Sequence, residues 1–92
     1  MSDRPIAVAA LVPRQRAVVV GEIQSVASFE MPWVRTDAVL GDGTGTLLLR
    51  FMGRASVPGF VAGCRVLAQG TPGLVGDAVV MVNPLYSFAT CE

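Results

Sequence analysis

Residues 41–54, GDGTGTLLLRFMGR, hold the densest chemistry-bearing pattern in the chain. Glycines interleaved with Asp42 and Thr44 run into an apolar stretch, and Arg50 and Arg54 follow. Two kinds of chemistry use such a pattern. Backbone amides of a Gly-rich loop can cradle a phosphate. Alternatively, glycine supplies positive φ for a tight reversal, and Asp or Thr side chains bond the local backbone. A phosphate loop needs Gly-Lys-Ser/Thr before a helix. This chain contains no Lys, and the pattern after the turn alternates as a strand does. A dinucleotide fingerprint needs a βαβ unit, which the strand-to-strand pattern does not provide. The glycine turn is therefore read as a chain reversal.

The remaining chemistry is sparse. There is no His, which removes Ser-His-Asp and Cys-His catalysis and any His-bearing zinc site. Cys64 and Cys91 are too few for a four-cysteine site and are expected as separate reduced thiols. No pair of carboxylates has a useful spacing: Asp37 reads as a surface charge and Asp42 as a turn residue. A non-catalytic protein without a cofactor or metal is expected. Formal net charge is zero, with seven basic residues, all Arg, against seven acids. Bulk charge therefore shows no strongly basic nucleic-acid binder, although a local patch can still act.

At 92 residues the chain allows one domain. With 52 % hydrophobic and 15 % charged residues it has apolar surface to bury, which excludes the disordered class. The longest apolar runs, such as residues 78–82, fall far short of the roughly 20 residues that span a bilayer. The first residues lack the basic start and apolar block of a signal peptide. A cytoplasmic protein with no membrane partner is expected.

The elements that must position the candidate residues are strands. Residues 2–12 read as a short helix or turn, with Asp3 as cap, Pro5 in the first turn, and Ile6, Ala10 and Leu11 against the domain. Residues 16–29 read as a long first strand whose inward set changes parity at Gly21, as a bulge would cause. Residues 33–40 and 46–52 alternate and form a hairpin around the glycine turn. Thr36, Ala38, Leu40, Leu47, Leu49 and Phe51 take one side. Trp33, Arg35, Asp37, Val39, Leu48, Arg50 and Met52 take the other. Residues 53–62 form a connector with a turn at Pro58-Gly59. Residues 63–70 and 78–83 are a fourth and a fifth strand, with a loop at 71–77 between them and an amphipathic tail holding Leu85, Tyr86 and Phe88. The fold expected is all-β, a five-stranded Greek-key OB-fold barrel with a short N-terminal helix or turn. Its divisions are an extension at 1–13, the barrel at 14–88 and a tail at 89–92.

The run from Leu40 to Leu47, then Arg50-Phe51 and Gly53-Arg54, resembles the second-to-third-strand signature of nucleic-acid-binding OB domains. It is most similar to the wedge domain of RecG-type helicases and to small stand-alone OB proteins of actinobacteria. The resemblance extends to Pro13, Arg14 and Arg16 before the first strand, to Val19, Gly21 and Ile23 within it, and to Asn83-Pro84 and Tyr86 at the end. It covers about residues 6–88. It implies an OB barrel and nucleic-acid binding. The family is usually more basic around the third strand, where this chain has Arg50 and Arg54.

OB barrels take ligands across the face of strands two and three. Single-stranded nucleic acid needs aromatic faces for stacking and cations for phosphates. The candidate binding residues are Phe29, Trp33, Arg35, Arg50, Met52 and Arg54. Plainer readings stand beside them: Trp33 as a cover over the barrel mouth, Phe29 as a core or loop anchor, Arg35 and Arg50 as cross-strand partners of Asp37. Phe51 and Phe60 read as core, and Tyr86 as packed with its hydroxyl near water. Two functions are carried forward. One is non-catalytic single-stranded nucleic-acid binding of modest affinity, DNA before RNA, accessory to repair or recombination. The other is a protein-interaction or homo-oligomerisation module using the apolar third-strand face at Leu48 and Met52.

Overall fold

Alternating burial organises most of the chain. The computed structural model describes residues 4–91 and contains seven strands: β1 (Ala17–Phe29), β2 (Arg35–Gly41), β3 (Thr46–Met52), β4 (Arg65–Gly70), β5 (Pro72–Val75), β6 (Ala78–Val82) and β7 (Leu85–Thr90). They form one open mixed sheet in the order β5-β6-β3-β2-β1-β4-β7. The pairing of β3 with β6 is parallel and the other pairings are antiparallel. The all-β expectation stands, but the strand count exceeds the five expected and the hydrogen-bonded order has two edges.

The β2–β3 hairpin follows its sequence pattern. It is paired without interruption from Arg35 opposite Met52 to Gly41 opposite Thr46. Thr36, Ala38, Leu40, Leu47, Leu49 and Phe51 are buried, while Arg35, Asp37, Val39, Leu48, Arg50 and Met52 alternate outward and are half-buried. A fully buried Leu such as Leu49 stabilises the fold by about 1.5–3 kcal/mol through apolar transfer.

β1 departs from expectation. Its inward row does not change parity at Gly21: Val19, Gly21 and Ile23 are all buried on one alternation, and the register shift falls between Ile23 and Ser25. Gly21 instead marks a close approach of two backbones. A Cβ there would lie 2.7 Å from the Gly41 carbonyl oxygen, so a side chain cannot be accommodated without movement. The strand does serve two partners. Residues Ala17 to Glu22 pair with β4, residues Glu22 to Phe29 pair with β2, and Glu22 is common to both ladders.

Two further corrections lie in the C-terminal third. The expected loop at 71–77 contains β5, which pairs with β6 from Pro72 opposite Met81 to Val75 opposite Ala78. The expected amphipathic tail is β7, paired with β4. Asn83 and Pro84 separate β6 from β7. Asn83 takes a positive φ of 49°, a region Asn tolerates better than most residues. Its N–H donates to the Arg50 carbonyl at 2.7 Å and its Oδ1 accepts from the Met52 N–H at 2.9 Å. The break therefore stays tied to β3 while the chain moves across to β4.

The core collects the inner rows of β1 to β4 with Met81, and with Val57 and Phe60 from the connector after β3. Phe60 packs edge-to-face on Phe51 at 5.3 Å and on Tyr86 at 4.9 Å. At the N-terminus a single helical turn, Val8–Ala10, sits against the sheet. Val8 is its buried residue, whereas Ile6 and Ala10, expected inward, are exposed, and Leu11 packs partly against the core. Asp3, the expected cap, lies outside the described residues. No helix among the described residues is long and apolar enough to cross a membrane.

The reading of Cys64 and Cys91 as separate thiols is overturned: they form a disulfide. Because β7 runs antiparallel to β4, with Thr90 opposite Arg65, the residue after β7 returns beside the residue before β4. Cys64 is a buried core residue as expected, and Cys91 is exposed. Such bonds persist in oxidising compartments, so the pairing bears against the cytoplasmic expectation.

Candidate nucleic-acid interface

The glycine turn closes one end of the β2–β3 hairpin and is filled by its own chain. Asp42 Oδ1 accepts from the Thr44 N–H at 2.9 Å and the Thr44 hydroxyl at 2.6 Å. Its Oδ2 accepts from the Val8 N–H at 2.8 Å, and Thr44 Oγ1 accepts from the Ala9 N–H at 3.1 Å. These bonds satisfy the free amides that open the N-terminal helical turn. The Thr44 hydroxyl is the main cause that holds the Asp42 carboxyl below its ordinary pKa; burial opposes it, and the backbone N–H groups of Val8, Thr44 and Gly45 add to the lowering. Gly43 has φ of 90°, and a Cβ on Gly45 would crowd Val8 Cγ1 at 3.3 Å. The turn reverses the chain and docks the N-terminal segment.

The opposite end of the hairpin is open. Register places Phe29 opposite Arg35 and Arg35 opposite Met52, so these three form one outward row across β1, β2 and β3. The next outward row is Ala27, Asp37, Arg50 and Val82. The Arg35 guanidinium lies over the Phe29 ring, 4.4 Å from its centroid, a cation–π contact. Asp37 accepts from Arg35 Nε at 3.4 Å and from Arg50 Nε and Nη2 at 3.1 and 3.2 Å. The cross-strand reading of both arginines is thus realised on the same face as the binding reading, and Asp37 offsets part of their charge.

Trp33 and Arg54 stand just beyond the paired ends of β2 and β3. The Gly53 N–H donates to the Val34 carbonyl at 2.7 Å and holds the two departing segments together. The Thr36 hydroxyl donates to the Arg54 carbonyl at 2.8 Å and contacts Ser28 Oγ at 3.0 Å. The Arg54 backbone is therefore anchored while its side chain is exposed. Trp33 is 65 % exposed, so its ring faces solvent instead of covering the core. Phe29 is 40 % exposed and is no core residue. The structure thus gathers Phe29, Arg35, Arg50 and Met52 on adjacent rows, with Trp33 and Arg54 at the same hairpin end.

Two residues escaped the sequence reading. Met31 is 81 % exposed, and with Ser28, Phe29, Glu30 and Ala55 it lines a surface groove of ≈ 560 Å³. Its signal was present: a large apolar residue in a Pro-containing loop has no alternation to bury it. Glu30 lines the same groove, is exposed, and is a second acid at this end of the hairpin. Counted together, Arg35, Arg50 and Arg54 against Asp37 and Glu30 leave this end with a formal charge of +1, only weakly positive. No protein-family model matches the chain, and no curated protein matches it in sequence.

Proposed function

We propose that this chain is a non-catalytic OB-type barrel that binds single-stranded nucleic acid, DNA before RNA, at the open end of the β2–β3 hairpin. The pairings support the barrel reading. If β4 with β5, and β6 with β7, are each one strand interrupted at Thr71 and at Asn83-Pro84, the ladder reduces to 1-2-3-5-4 and returns to β1. That is the strand order of the five-stranded Greek-key barrel. The resemblance to wedge and stand-alone OB domains extends the proposal to an accessory role in repair or recombination.

The observation that carries the binding reading is Trp33, 65 % exposed two residues before β2, at the hairpin end where Arg35 lies over the Phe29 ring. Bases stack on such platforms irrespective of sequence, at about 1–3 kcal/mol each. With few uncompensated cations, affinity is modest. Fluorescence anisotropy of labelled DNA and RNA oligonucleotides at low salt tests it. Saturable binding at micromolar protein is expected, and no binding at tens of micromolar would overturn the proposal.

A protein-interaction module is the second reading. It draws on exposed Met31, on Phe29 in the same groove and on exposed Val34, rather than on Leu48 and Met52, which are half-buried. Sedimentation over a concentration series tests self-association: concentration-dependent growth in mass supports it, and a monomer throughout removes the homo-oligomer.

A further inference from the structure

The outer face of β2 and β3 holds an ion triad that base stacking does not require. Arg35 and Asp37 are two apart on β2 and so share a face, and Arg50 is opposite Asp37 on β3. Both guanidinium groups converge on the one carboxylate, with side chains 19 % and 25 % exposed and Asp37 11 % exposed. Arg35 reaches Asp37 through Nε, and Arg50 through Nε and Nη2. Among the described residues, neither Nη of Arg35 nor Nη1 of Arg50 has a protein acceptor. Two cations against one anion leave a single net positive charge where two arginines without the acid would present two.

A carboxylate and a phosphate present the same acceptor geometry to a guanidinium. We propose that Asp37 is the resident counter-ion of a phosphate subsite formed by Arg35 and Arg50, and that it holds the affinity of the face for a nucleic-acid backbone in check. This rests on the single-strand-binding reading. Asp37 keeps the two guanidinium groups ordered in the free protein, so little side-chain entropy is lost when a phosphate meets their outer donors. It also cancels about one charge of counter-ion release. Binding is thereby shifted from backbone attraction toward stacking on Trp33.

The salt dependence of binding to a fluorescein-labelled oligothymidylate tests this. Each phosphate neutralised on a single strand contributes about −0.7 to the slope of log K against log salt. Asp37→Asn is expected to steepen the slope by about 0.7 and to tighten binding about three-fold at low salt. The double variant Asp37→Asn with Arg35→Gln restores the net charge and is expected to return the slope to that of the parent. An unchanged or shallower slope in Asp37→Asn overturns the proposal. A second measurement needs no substitution. Nuclear magnetic resonance of the unaltered protein should show the Nε–H signals of Arg35 and Arg50 moving together with the Trp33 indole signal on adding the oligothymidylate. If the indole moves and the guanidinium signals do not, the phosphate subsite is overturned while the stacking site survives. If none of them moves, the binding reading fails and takes the subsite with it.

Discussion

The two ends of the β2–β3 hairpin differ in their residues and in what satisfies them. At the glycine turn, Asp42 and Thr44 spend their hydrogen bonds on each other and on the amides of Val8 and Ala9. At the other end, Trp33, Met31 and Arg54 project from loops whose backbones are pinned by Thr36 and Val34 but whose side chains meet solvent. A polar turn with every acceptor engaged is structural. An anchored backbone bearing unengaged aromatic and cationic side chains is where a ligand can be held at little conformational cost.

That contrast can be broken or sharpened by experiment. The largest expected effect concerns neither end and sets the background for the others. Cys91→Ala removes a disulfide of sequence separation 27, which in the loop-entropy view costs about 3–4 kcal/mol of stability. Chemical denaturation with and without reductant should show the loss in the parent and no response in the variant. Free-thiol titration of unreduced protein should find none; two titratable thiols would contradict the bond.

Trp33→Ala is next. It should weaken oligonucleotide binding by about 1–3 kcal/mol while leaving the thermal midpoint unchanged, because the ring covers no core. A lowered midpoint with unaltered binding would reverse the assignment of the open end. Asp42→Ala should do the opposite. Loss of the bonds to Val8 and Thr44 should cost about 1 kcal/mol, read as a lower midpoint, with oligonucleotide affinity intact.

The smallest effect is in acid. The folded-state pKa of Asp42 is depressed, so its contribution is fully present above the ordinary aspartate range and is lost as pH falls through the folded value. Melting curves should therefore show the parent losing stability more steeply than Asp42→Asn in that acid window. Parallel curves would place the carboxylate outside the folding linkage.

The hairpin and its two faces were legible because strand alternation is local: Thr36, Ala38 and Leu40 announce an inner row without reference to any other segment. The candidate site was legible to the same degree, since register follows from a short turn and places Arg35, Asp37 and Arg50 on one face. Which reading of each side chain applied was not legible. Exposure of Trp33 depends on how the loop after β1 leaves the sheet. The stacking of Arg35 on Phe29 depends on a β1 register that shifts after Ile23.

Residue order alone carried the all-β class, the β2–β3 hairpin, the reversing role of the glycine turn and the absence of His- or Lys-based chemistry, because each is a property of composition or of a short window. Folding had to decide the parallel β3–β6 pairing, the extra strands β5 and β7, the union of Cys64 with Cys91, and the capture of Val8 by Asp42. All four join segments to partners that no local period identifies. Loop closure and the packing of a shared core select those partners from the alternatives, and that selection exists only once the chain is compact.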